Sequence, residues 1–410
     1  MSSRRPPATR RVPRQGARRL TLVGLGNIGS HAADLLARLP DLGHVTLVDG
    51  DRYTASNLTS QAIAVRDIGQ FKVQALARRL RQIAPDLTVR AIPQWVEDVP
   101  RAWLRADVLV ACLDSRLARQ AVNEIAWSLN TPWVDSGVDA ADLLARVNVY
   151  LPGEAAPCGV CAWTDDDYAA IEQTYPCARD LRVVSGAGAS AGASVAPRAA
   201  VPATGAAASL GALAAGLIAT ECQKLFRGEL ADLACHRQVL WDCRHHQCLV
   251  TSYTRNPHCR FDHAVWAPVP APLRLGRTSL SAFGRWVCER WAGQSGEGGI
   301  RLGLAGFRFA RQLRCPQCGV ARACLMLDRG LASRSFRCGS CGGLMDVAGL
   351  DLYDALALDA LAPSELRSTL AGVGLRVGDI VTVHGAAGPR HVEFVAPRPP
   401  ARDPRSLKGG

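Results

Sequence analysis

Between residues 18 and 137, short apolar runs alternate with segments in which apolar residues recur every three or four positions. Short runs are typical of buried strands, and the three-to-four spacing is typical of helices with one face against a core. The sequence predicts strands at RLTLVGL, HVTLVD, LTVRAIP, ADVLVACLD and TPWVDSG, and helices at NIGSHAADLLARL, KVQALARRLRQIA and RLARQAVNEIAWSL. This alternation predicts an α/β fold whose parallel sheet is covered on both faces.

The pattern changes after these elements. LLARVNVYLPG, HRQVLWDC and QCLVTSY are predicted to be later, antiparallel strands. The segment 183–204, rich in Ala, Gly and Ser, predicts a mobile loop that leads into a helix ending near Phe226. A Pro-rich stretch after His263 predicts a boundary; beyond it PSELRSTLAGVGL is a predicted helix, and DIVTVHG and HVEFV are predicted strands.

Pattern and composition together divide the chain into five segments. They are a basic disordered tail at 1–17, an α/β domain at 18–265, a cysteine-containing domain at 266–350, a small α+β segment at 351–398 and a tail at 399–410.

The chain of 410 residues carries a formal net charge of +12, and seven arginines lie in its first nineteen residues. Such a run is more often a solvated extension than a nucleic-acid site, so we do not expect nucleic-acid binding. No apolar run reaches the length of a membrane span, and no signal peptide is evident, so a cytoplasmic location is predicted. Only Lys72, Lys224 and Lys408 are lysines, a bias typical of a GC-rich bacterial genome.

The motif GLGNIG follows a predicted strand and opens a predicted helix. Gly24, Gly26 and Gly29 would allow a tight turn and close approach of the backbone to phosphates at the helix N-terminus. Asp49 lies where an acid that binds ribose belongs. A nucleotide site is therefore predicted, with a purely structural Rossmann domain as the alternative.

Further polar residues extend this site beyond what a dinucleotide needs. Asp51, Asn57, Gln61 and Lys72 suit a triphosphate, with Lys72 as a point charge on phosphate oxygens. Asp114 comes just after a predicted strand, where a carboxylate could hold magnesium between phosphates. The alternatives are a solvated lysine at position 72 and a helix N-cap at position 114.

GLGNIG, DGDRYTASNLTSQ, DIGQFK, CLDSRLARQAVN, PCGVC and RNPHC occur in the order and near the spacing of the ThiF/MoeB family, the bacterial relatives of ubiquitin-activating enzymes. The resemblance covers about residues 18–265 and implies a Rossmann-like ThiF adenylation domain that uses ATP and magnesium. It implies that Asp49 binds ribose, Asn57 and Lys72 hold phosphates, and Asp114 binds the metal and supports attack on the α-phosphate.

The resemblance also implies partners. The family adenylates the C-terminal glycine of a ubiquitin-like or sulfur-carrier protein, acts as a homodimer, and in some members passes the carrier onward to a conjugating enzyme. Members of that kind use a cysteine in the loop after the first C-x2-C pair. Cys177 occupies that place and is the candidate nucleophile, with structural burial or adenylation without transfer as the alternatives, whereas Cys222 is predicted to lie in the core.

Two features depart from the family pattern. The family often has an arginine in an R-x-x-R-Q context well before the first strand, whereas VPRQ at Val12–Gln15 lies close to that strand. Ser60 stands where the family has an arginine in the segment N-L-x-R-Q. Arg52, Arg116 or Arg119 could supply the missing charge.

Cysteine pairs predict two structural zinc sites rather than disulfides. The first combines Cys158 and Cys161 with Cys259 and His263, in a place where family members have two C-x2-C pairs. His258 is the competing ligand, and a site without metal is the other alternative. The second set has the paired-knuckle spacing of a four-cysteine zinc ribbon and consists of Cys315, Cys318, Cys338 and Cys341.

The function predicted from these residues is ATP-dependent adenylation of a carrier protein that ends in glycine. The alternatives are adenylation of a peptide or amino-acid carboxylate in natural-product biosynthesis, and a scaffold of the same fold that binds a carrier or leader peptide without catalysis. An NAD dehydrogenase is disfavoured, because the set from Asn57 to Lys72 would have no role. The chain itself ends in Gly409 and Gly410, so this end is a candidate substrate or substrate mimic.

Overall fold

The computed structural model describes residues 18–174, 207–291, 299–331, 336–347 and 351–397, without the side chains of 170–174. These residues form two compact units. The N-terminal unit contains the described residues of 18–99, 104–165 and 207–265, and the C-terminal unit contains those of 100–103, 166–174 and 266–397.

The N-terminal unit is built on one eight-stranded sheet with the order β3-β2-β1-β4-β5-β6-β7-β8. The strands β3, β2, β1, β4 and β5 are parallel, and β6, β7 and β8 continue the sheet in antiparallel pairing. The strands are β1 (Arg18–Val23), β2 (Leu42–Val48), β3 (Thr88–Ile92), β4 (Val108–Ala111), β5 (Trp133–Asp139), β6 (Leu144–Tyr150), β7 (Arg237–Asp242) and β8 (Gln247–Ser252). The predicted α/β fold with a mostly parallel sheet is therefore confirmed.

Four helices of this unit accompany these strands along the chain: α1 (Asn27–Leu36), α2 (Lys72–Ile83), α3 (Arg116–Ser128) and α5 (Ala208–Arg227). Between α3 and α5 lies α4 (Asp165–Thr174), which belongs to the C-terminal unit except for its first residue. The Ala-rich helix α5 ends where Gly228 adopts a left-handed conformation with φ of +75°. This conformation strongly favours glycine and satisfies the last carbonyl groups of the helix. Helix α5 also packs closely on α1, because Gly211 leaves room for Asn27.

The core of this unit lies between the sheet and its helices. Leu22, Val110 and Val134 on the strands and Ala214 and Ile218 on α5 are completely buried. Cys222 is also completely buried in α5, which confirms its prediction as a core residue.

The C-terminal unit contains a five-stranded sheet with the order β15-β10-β16-β17-β9 and a four-stranded sheet around β11. The strands are β9 (Val269–Ala271), β10 (Arg301–Gly303), β11 (Phe309–Arg314), β12 (Ala321–Leu327), β13 (Asp346–Val347), β14 (Leu352–Tyr353), β15 (Ala355–Ala357), β16 (Ile380–Gly385) and β17 (Gly388–Phe394). Its helices are α6 (Leu280–Arg290), α7 (Asp328–Leu331) and α8 (Pro363–Leu366). Each of these sheets contains strands that come before residue 350 and strands that come after it. The sequence analysis placed a domain boundary at that position.

The helix predicted at PSELRSTLAGVGL is much shorter in the structure, because only Pro363–Leu366 is α-helical. The Ser368 carbonyl accepts a hydrogen bond of 3.0 Å from the Leu280 amide, and Thr369 forms a β-bridge with Ser279. Gly374 then adopts a φ of +93°. Tertiary pairing therefore overrides the local helical pattern. No helix in the described residues is long and apolar enough to cross a membrane.

Candidate functional site

The glycine-rich loop joins β1 to α1 at the carboxyl edge of the parallel strands. Gly24 has a φ of +82°, and a Cβ there would overlap the Cys112 carbonyl oxygen. A Cβ on Gly29 would overlap the carbonyl oxygen of Gly24 itself. A Cβ on Gly26, in contrast, would meet nothing within 4 Å. The fold therefore requires the first and third glycines, whereas the second faces open space that a phosphate could fill.

Asp49 lies directly after β2 and supports this loop. Its carboxylate accepts hydrogen bonds from the backbone amides of Leu25 at 2.7 Å and Asp51 at 2.8 Å. Burial raises the pKa of Asp49 above its usual value, although Lys72 and these two amides oppose that shift. The predicted ribose acid is thus held rigidly beside the glycine-rich loop.

Lys72 begins α2, and its ammonium group lies between two carboxylates. Its Nζ is 2.9 Å from Oδ2 of Asp51 and 3.9 Å from Oδ2 of Asp49. Lys72 is 8% exposed, which makes a freely solvated lysine the wrong interpretation. The structure therefore places Asp49, Asp51 and Lys72 together, with the lysine charge directed at the acids.

The segment that links β2 to α2 holds the predicted amides. Asn57 uses its Oδ1 to accept a hydrogen bond of 2.8 Å from the Thr54 amide, so only its Nδ2 remains to donate to a phosphate. The Oε1 of Gln61 is buried without a hydrogen-bond partner among the described residues. Ser60 is 8% exposed, and the neighbouring Ala62 amide donates to Ser30 on α1 at 3.0 Å.

Asp114 follows β4 and lies just before α3, at the same edge of the sheet as the glycine-rich loop. The residue that caps α3 is Ser115, whose hydroxyl accepts a hydrogen bond from the Ala118 amide. The alternative that Asp114 serves as the N-cap is therefore wrong. Asp114 is exposed, as a metal-binding carboxylate at this edge needs to be.

A buried charge cluster around Asp135, within β5, was not predicted. Asp135 accepts hydrogen bonds from Arg119 Nε at 3.0 Å and from Arg146 at 2.7 Å. Burial favours a higher pKa for Asp135, but the two guanidinium groups outweigh it and lower the pKa. Arg119 also donates to the carbonyl groups of Leu113 and Ser136.

Two of the arginines proposed to replace the charge missing at Ser60 are thus already engaged. Arg119 belongs to the charge cluster, and Arg52 donates to the Gly69 carbonyl at 2.8 Å while its guanidinium covers the Phe71 ring. The ion pair between Arg119 and Asp135 leaves no signal in the sequence, because the two residues are sixteen positions apart and lie on different elements, α3 and β5.

The first predicted metal cluster is assembled in the N-terminal unit. Cys158, Cys161, Cys259 and His263 place one ligand atom each within 4.8 Å of all the others. The Sγ atoms of Cys158 and Cys259 are 3.8 Å apart, close to the separation of about 3.8 Å that tetrahedral zinc–sulfur bonds of about 2.3 Å require.

The orientation of His263 fits this role. Its Nδ1 lies 2.8 Å from the Phe261 carbonyl, which fixes that nitrogen as the donor and leaves Nε2 free, 3.2 Å from Cys161 Sγ. Metal-binding histidines are commonly oriented by such a bond. His258, the competing ligand, does not belong to the cluster.

The second cluster lies in the C-terminal unit and groups Cys315, Cys318, Cys338 and Cys341. In each pair, the glycine after the second cysteine has a positive φ, +75° at Gly319 and +74° at Gly342. Its amide donates to the carbonyl of the first cysteine at 2.9 Å in both cases. These tight turns direct both thiols of a pair to one point, so both clusters could hold zinc.

Some predicted residues lie outside the described part of the chain. They are the candidate nucleophile Cys177, the loop at 183–204, the tails at 1–17 and 399–410, and the terminal Gly409 and Gly410.

Comparison with known proteins gives the context of this site. The model of the ThiF family matches residues 14–260, more than half of the chain. A sulfur carrier protein ThiS adenylyltransferase from Escherichia coli K12 is 33% identical over 148 residues, which are 35% of this chain and 58% of that protein. Ubiquitin-like modifier-activating enzyme 5 from Rattus norvegicus is 29% identical over 157 residues, 35% of this chain and 38% of that protein.

The chain thus spans less than two thirds of the length of these relatives. Among solved structures, E. coli MccB with ATP aligns with a TM-score of 0.45 and 21% identity, over 60% of this chain and 66% of that one.

Proposed function

The chain belongs to the ThiF family, and from that premise we propose that it is an ATP-dependent adenylating enzyme. Its substrate would be the C-terminal glycine carboxylate of a ubiquitin-like or sulfur-carrier protein. The observation that carries this proposal is the convergence of four features at one edge of the parallel sheet. They are the open space at Gly26, the buried acid Asp49, the lysine Lys72 and the exposed carboxylate Asp114.

The charges at this edge support a nucleotide that arrives with a divalent cation. Asp49, Asp51 and Asp114 carry three negative charges, and Lys72 is the only lysine beside them in the described part of the chain. A bare triphosphate would be repelled, whereas magnesium takes carboxylate and phosphate oxygens as ligands. Asp114 would hold that magnesium, which when bound would neutralise charge on the phosphates.

The reaction needs positioning and charge neutralisation more than proton transfer. A carboxylate oxygen of the substrate attacks the α-phosphorus of ATP, the bond to the bridging oxygen breaks, and pyrophosphate leaves with the electron pair. Asp49 would hold the ribose, and the Asn57 amide and Lys72 would bind phosphate oxygens, with Lys72 exchanging Asp51 for phosphate. Such preorganised donors stabilise the charge that develops in the transition state.

The choice of substrate rests on the relatives. Proteins similar to this chain are named for activation of the sulfur carrier ThiS and of ubiquitin-like modifiers. We therefore propose a small protein ending in glycine as the partner. Transfer to Cys177, a conjugating enzyme and a homodimer stay predictions.

ATP–pyrophosphate exchange tests the proposal. With labelled pyrophosphate and a small protein ending in Gly-Gly, we expect the full chain to form labelled ATP. Asp114→Asn and Lys72→Ala should each lower the exchange rate about 100-fold or more, because each removes charge stabilisation of the reacting phosphates. Asp41→Asn is the matched control, since Asp41 lies before β2 at the opposite edge of the sheet.

Other outcomes would decide between the alternatives. If exchange requires a short peptide or a free amino acid and does not occur with any carrier protein, the substrate is a small carboxylate and not a carrier protein. ATP binding without exchange for any acceptor would contradict catalysis and support a scaffold, for which Ser60 is the best argument.

A further inference from the structure

The segment that carries Asn57 and Gln61 is fixed at Ala62, the residue after Gln61. The Ala62 amide donates a hydrogen bond of 3.0 Å to the hydroxyl of Ser30 on α1, and Ser30 is completely buried. The Ala62 carbonyl accepts a hydrogen bond of 2.8 Å from the guanidinium of Arg79 on α2. Both backbone groups of Ala62 are thus held by side chains from two different helices.

Asp34 on α1 fixes the side chain of Arg79. Its carboxylate pairs with one terminal nitrogen of the Arg79 guanidinium, across 45 positions of the sequence, and the other terminal nitrogen donates to Ala62. The pair is partly buried, with 20% of the Asp34 side chain and 42% of the Arg79 side chain exposed. Because a guanidinium is planar, a carboxylate on one nitrogen also sets the direction of the other. Asp34 lies one helical turn after Ser30, so both side chains lie on one face of α1.

Short links connect Ala62 to the side chains proposed to meet the phosphates. Gln61 precedes it in the chain, and the Gln61 amide donates to the Asn57 carbonyl at 2.9 Å. The Ile63 amide on the other side donates to the Gln61 carbonyl at 2.8 Å. A displacement of Ala62 would therefore move Gln61 and the turn that presents Asn57.

We propose that Arg79, with Asp34 and Ser30, is a positioning residue for the bound triphosphate, because it holds the segment 57–62 where its amides meet phosphate oxygens. The Asp34 carboxylate balances the guanidinium charge, so Arg79 contributes geometry and not attraction to the phosphates. Donors held in place bind a ligand without the free-energy cost of ordering a loop. This inference rests on the proposed function, because the triphosphate is that of the proposed ATP.

Two measurements on the full chain test this role: calorimetric titration with ATP and magnesium, and the rate of ATP–pyrophosphate exchange at saturating ATP. Arg79→Ala should weaken ATP binding about 10-fold and lower the saturated exchange rate about 10-fold, since the segment loses its fixed position. Arg79→Lys keeps an N–H donor and should bind ATP within about 3-fold of the wild-type chain. Loss as complete as in Arg79→Ala would contradict the hydrogen bond to Ala62 as the cause.

Arg81→Ala is the matched control. Arg81 is exposed on the same helix and also donates to a backbone carbonyl, that of Val89, at 3.0 Å. Neither ATP affinity nor the exchange rate should change, because Val89 lies on β3 and not on the segment 57–62.

Asp34→Asn separates position from charge. The substitution keeps the side-chain volume, removes the carboxylate that orients Arg79 and leaves the guanidinium charge without its counter-charge. If Arg79 acts by position, ATP binding should weaken about 3-fold or more. Unchanged or tighter ATP binding would overturn the positioning role. Should Arg79→Ala fail to fold in thermal unfolding, this variant tests the same role.

A chain that lacks both amides tests the route of action. In the background of Asn57→Ala with Gln61→Ala, Arg79→Ala should weaken ATP binding by less than about 2-fold, because the groups that Arg79 positions are gone. A further loss of about 10-fold in that background would show that Arg79 acts on other groups and would overturn the inference.

The outcomes distinguish this inference from the function on which it rests. Equal ATP affinity and exchange in the wild-type chain and Arg79→Ala would overturn the positioning role and leave adenylation intact. A wild-type chain that binds ATP without exchange for any acceptor would contradict adenylation, while the ATP affinities of the variants still decide the role of Arg79. A chain that does not bind ATP would overturn both proposals.

Discussion

Asp135 shows what one buried residue contributes to this molecule. The residue is 3% exposed, and its carboxylate forms ion pairs with two guanidinium groups, those of Arg119 and Arg146. Two cations and one anion leave a net positive charge in this cluster within β5. Arg119 also donates to the carbonyl of Leu113, the residue before Asp114, so the cluster helps to hold the backbone that presents the proposed metal ligand.

We expect Asp135→Asn to lower the free energy of unfolding by about 3 kcal/mol at neutral pH, because both guanidinium groups lose their counter-charge. The pairing lowers the pKa of Asp135 in the folded protein. Its stabilisation is therefore present above the unfolded pKa of about 3.9 and is lost as the pH falls through the lower folded value. Urea unfolding of both proteins between pH 7 and pH 3 measures the difference.

Asp142→Asn is the control, because Asp142 is exposed in the connection between β5 and β6. It should change the unfolding free energy by less than about 0.5 kcal/mol. A difference between wild type and Asp135→Asn that stays constant down to pH 3 would show that the charge of Asp135 is not the source of the stability.

At the scale of elements, the loop between β1 and α1 contains two kinds of glycine. Some are needed for packing, and one leaves space for a ligand. Gly24 and Gly29 permit the strand, the loop and the helix to approach one another, because a Cβ at either position would overlap a backbone carbonyl. Gly26 has a φ of −77°, outside the left-handed range, and open space beside it. A glycine at position 26 is therefore explained by a ligand that approaches the loop rather than by packing within the fold.

Two single substitutions test this distinction. Gly29→Ala should lower the free energy of unfolding by about 2 kcal/mol or more, since the backbone must move to admit the methyl group. Gly26→Ala should change it by less than about 1 kcal/mol. The same variant should bind ATP about 10-fold more weakly, because its methyl group enters the phosphate space. Thermal unfolding and calorimetric ATP titration give the two readouts.

Each variant is the control for the other. Unchanged ATP affinity in Gly26→Ala would contradict the assignment of the open space to phosphates, and full stability in Gly29→Ala would contradict the packing argument.

At the scale of the whole molecule, each compact unit contains its own metal cluster. The ligands of the first cluster lie in the N-terminal unit, and the four cysteines of the second lie in the C-terminal unit. In both clusters, residues distant in sequence supply the ligands, 102 positions apart for Cys161 and His263. A metal in either cluster would thus stabilise the tertiary structure of its own unit.

We expect two zinc ions per chain in protein purified without chelator. His263→Ala and Cys338→Ala should each leave one ion, because each removes a ligand from one cluster only. Cys248→Ser should leave both, since Cys248 is exposed on β8 and belongs to neither cluster. Metal analysis by mass spectrometry measures the content. A single substitution that releases both ions would contradict two independent sites, and a wild-type chain without zinc would contradict both.

The residues of the candidate site could be predicted because their signals are local. Glycine spacing, an acid after a strand and cysteines two residues apart each reflect backbone geometry within a few positions, and the same holds for strands and helices with regular apolar spacing. Local signals therefore determined the α/β order, the glycine-rich loop, Asp49 and the ligands of both metal clusters.

Only the tertiary structure decided which distant groups meet. In the tertiary structure, Lys72 forms an ion pair with Asp51, and Arg119 forms one with Asp135. Ser115 caps α3. Most of the helix predicted after Pro363 is absent, and Thr369 pairs with Ser279 instead. The tertiary structure also brought Trp95 onto Gly50, across two strands that are neighbours only because of the sheet order. Such contacts depend on strand order and burial, which residues adjacent in sequence do not specify.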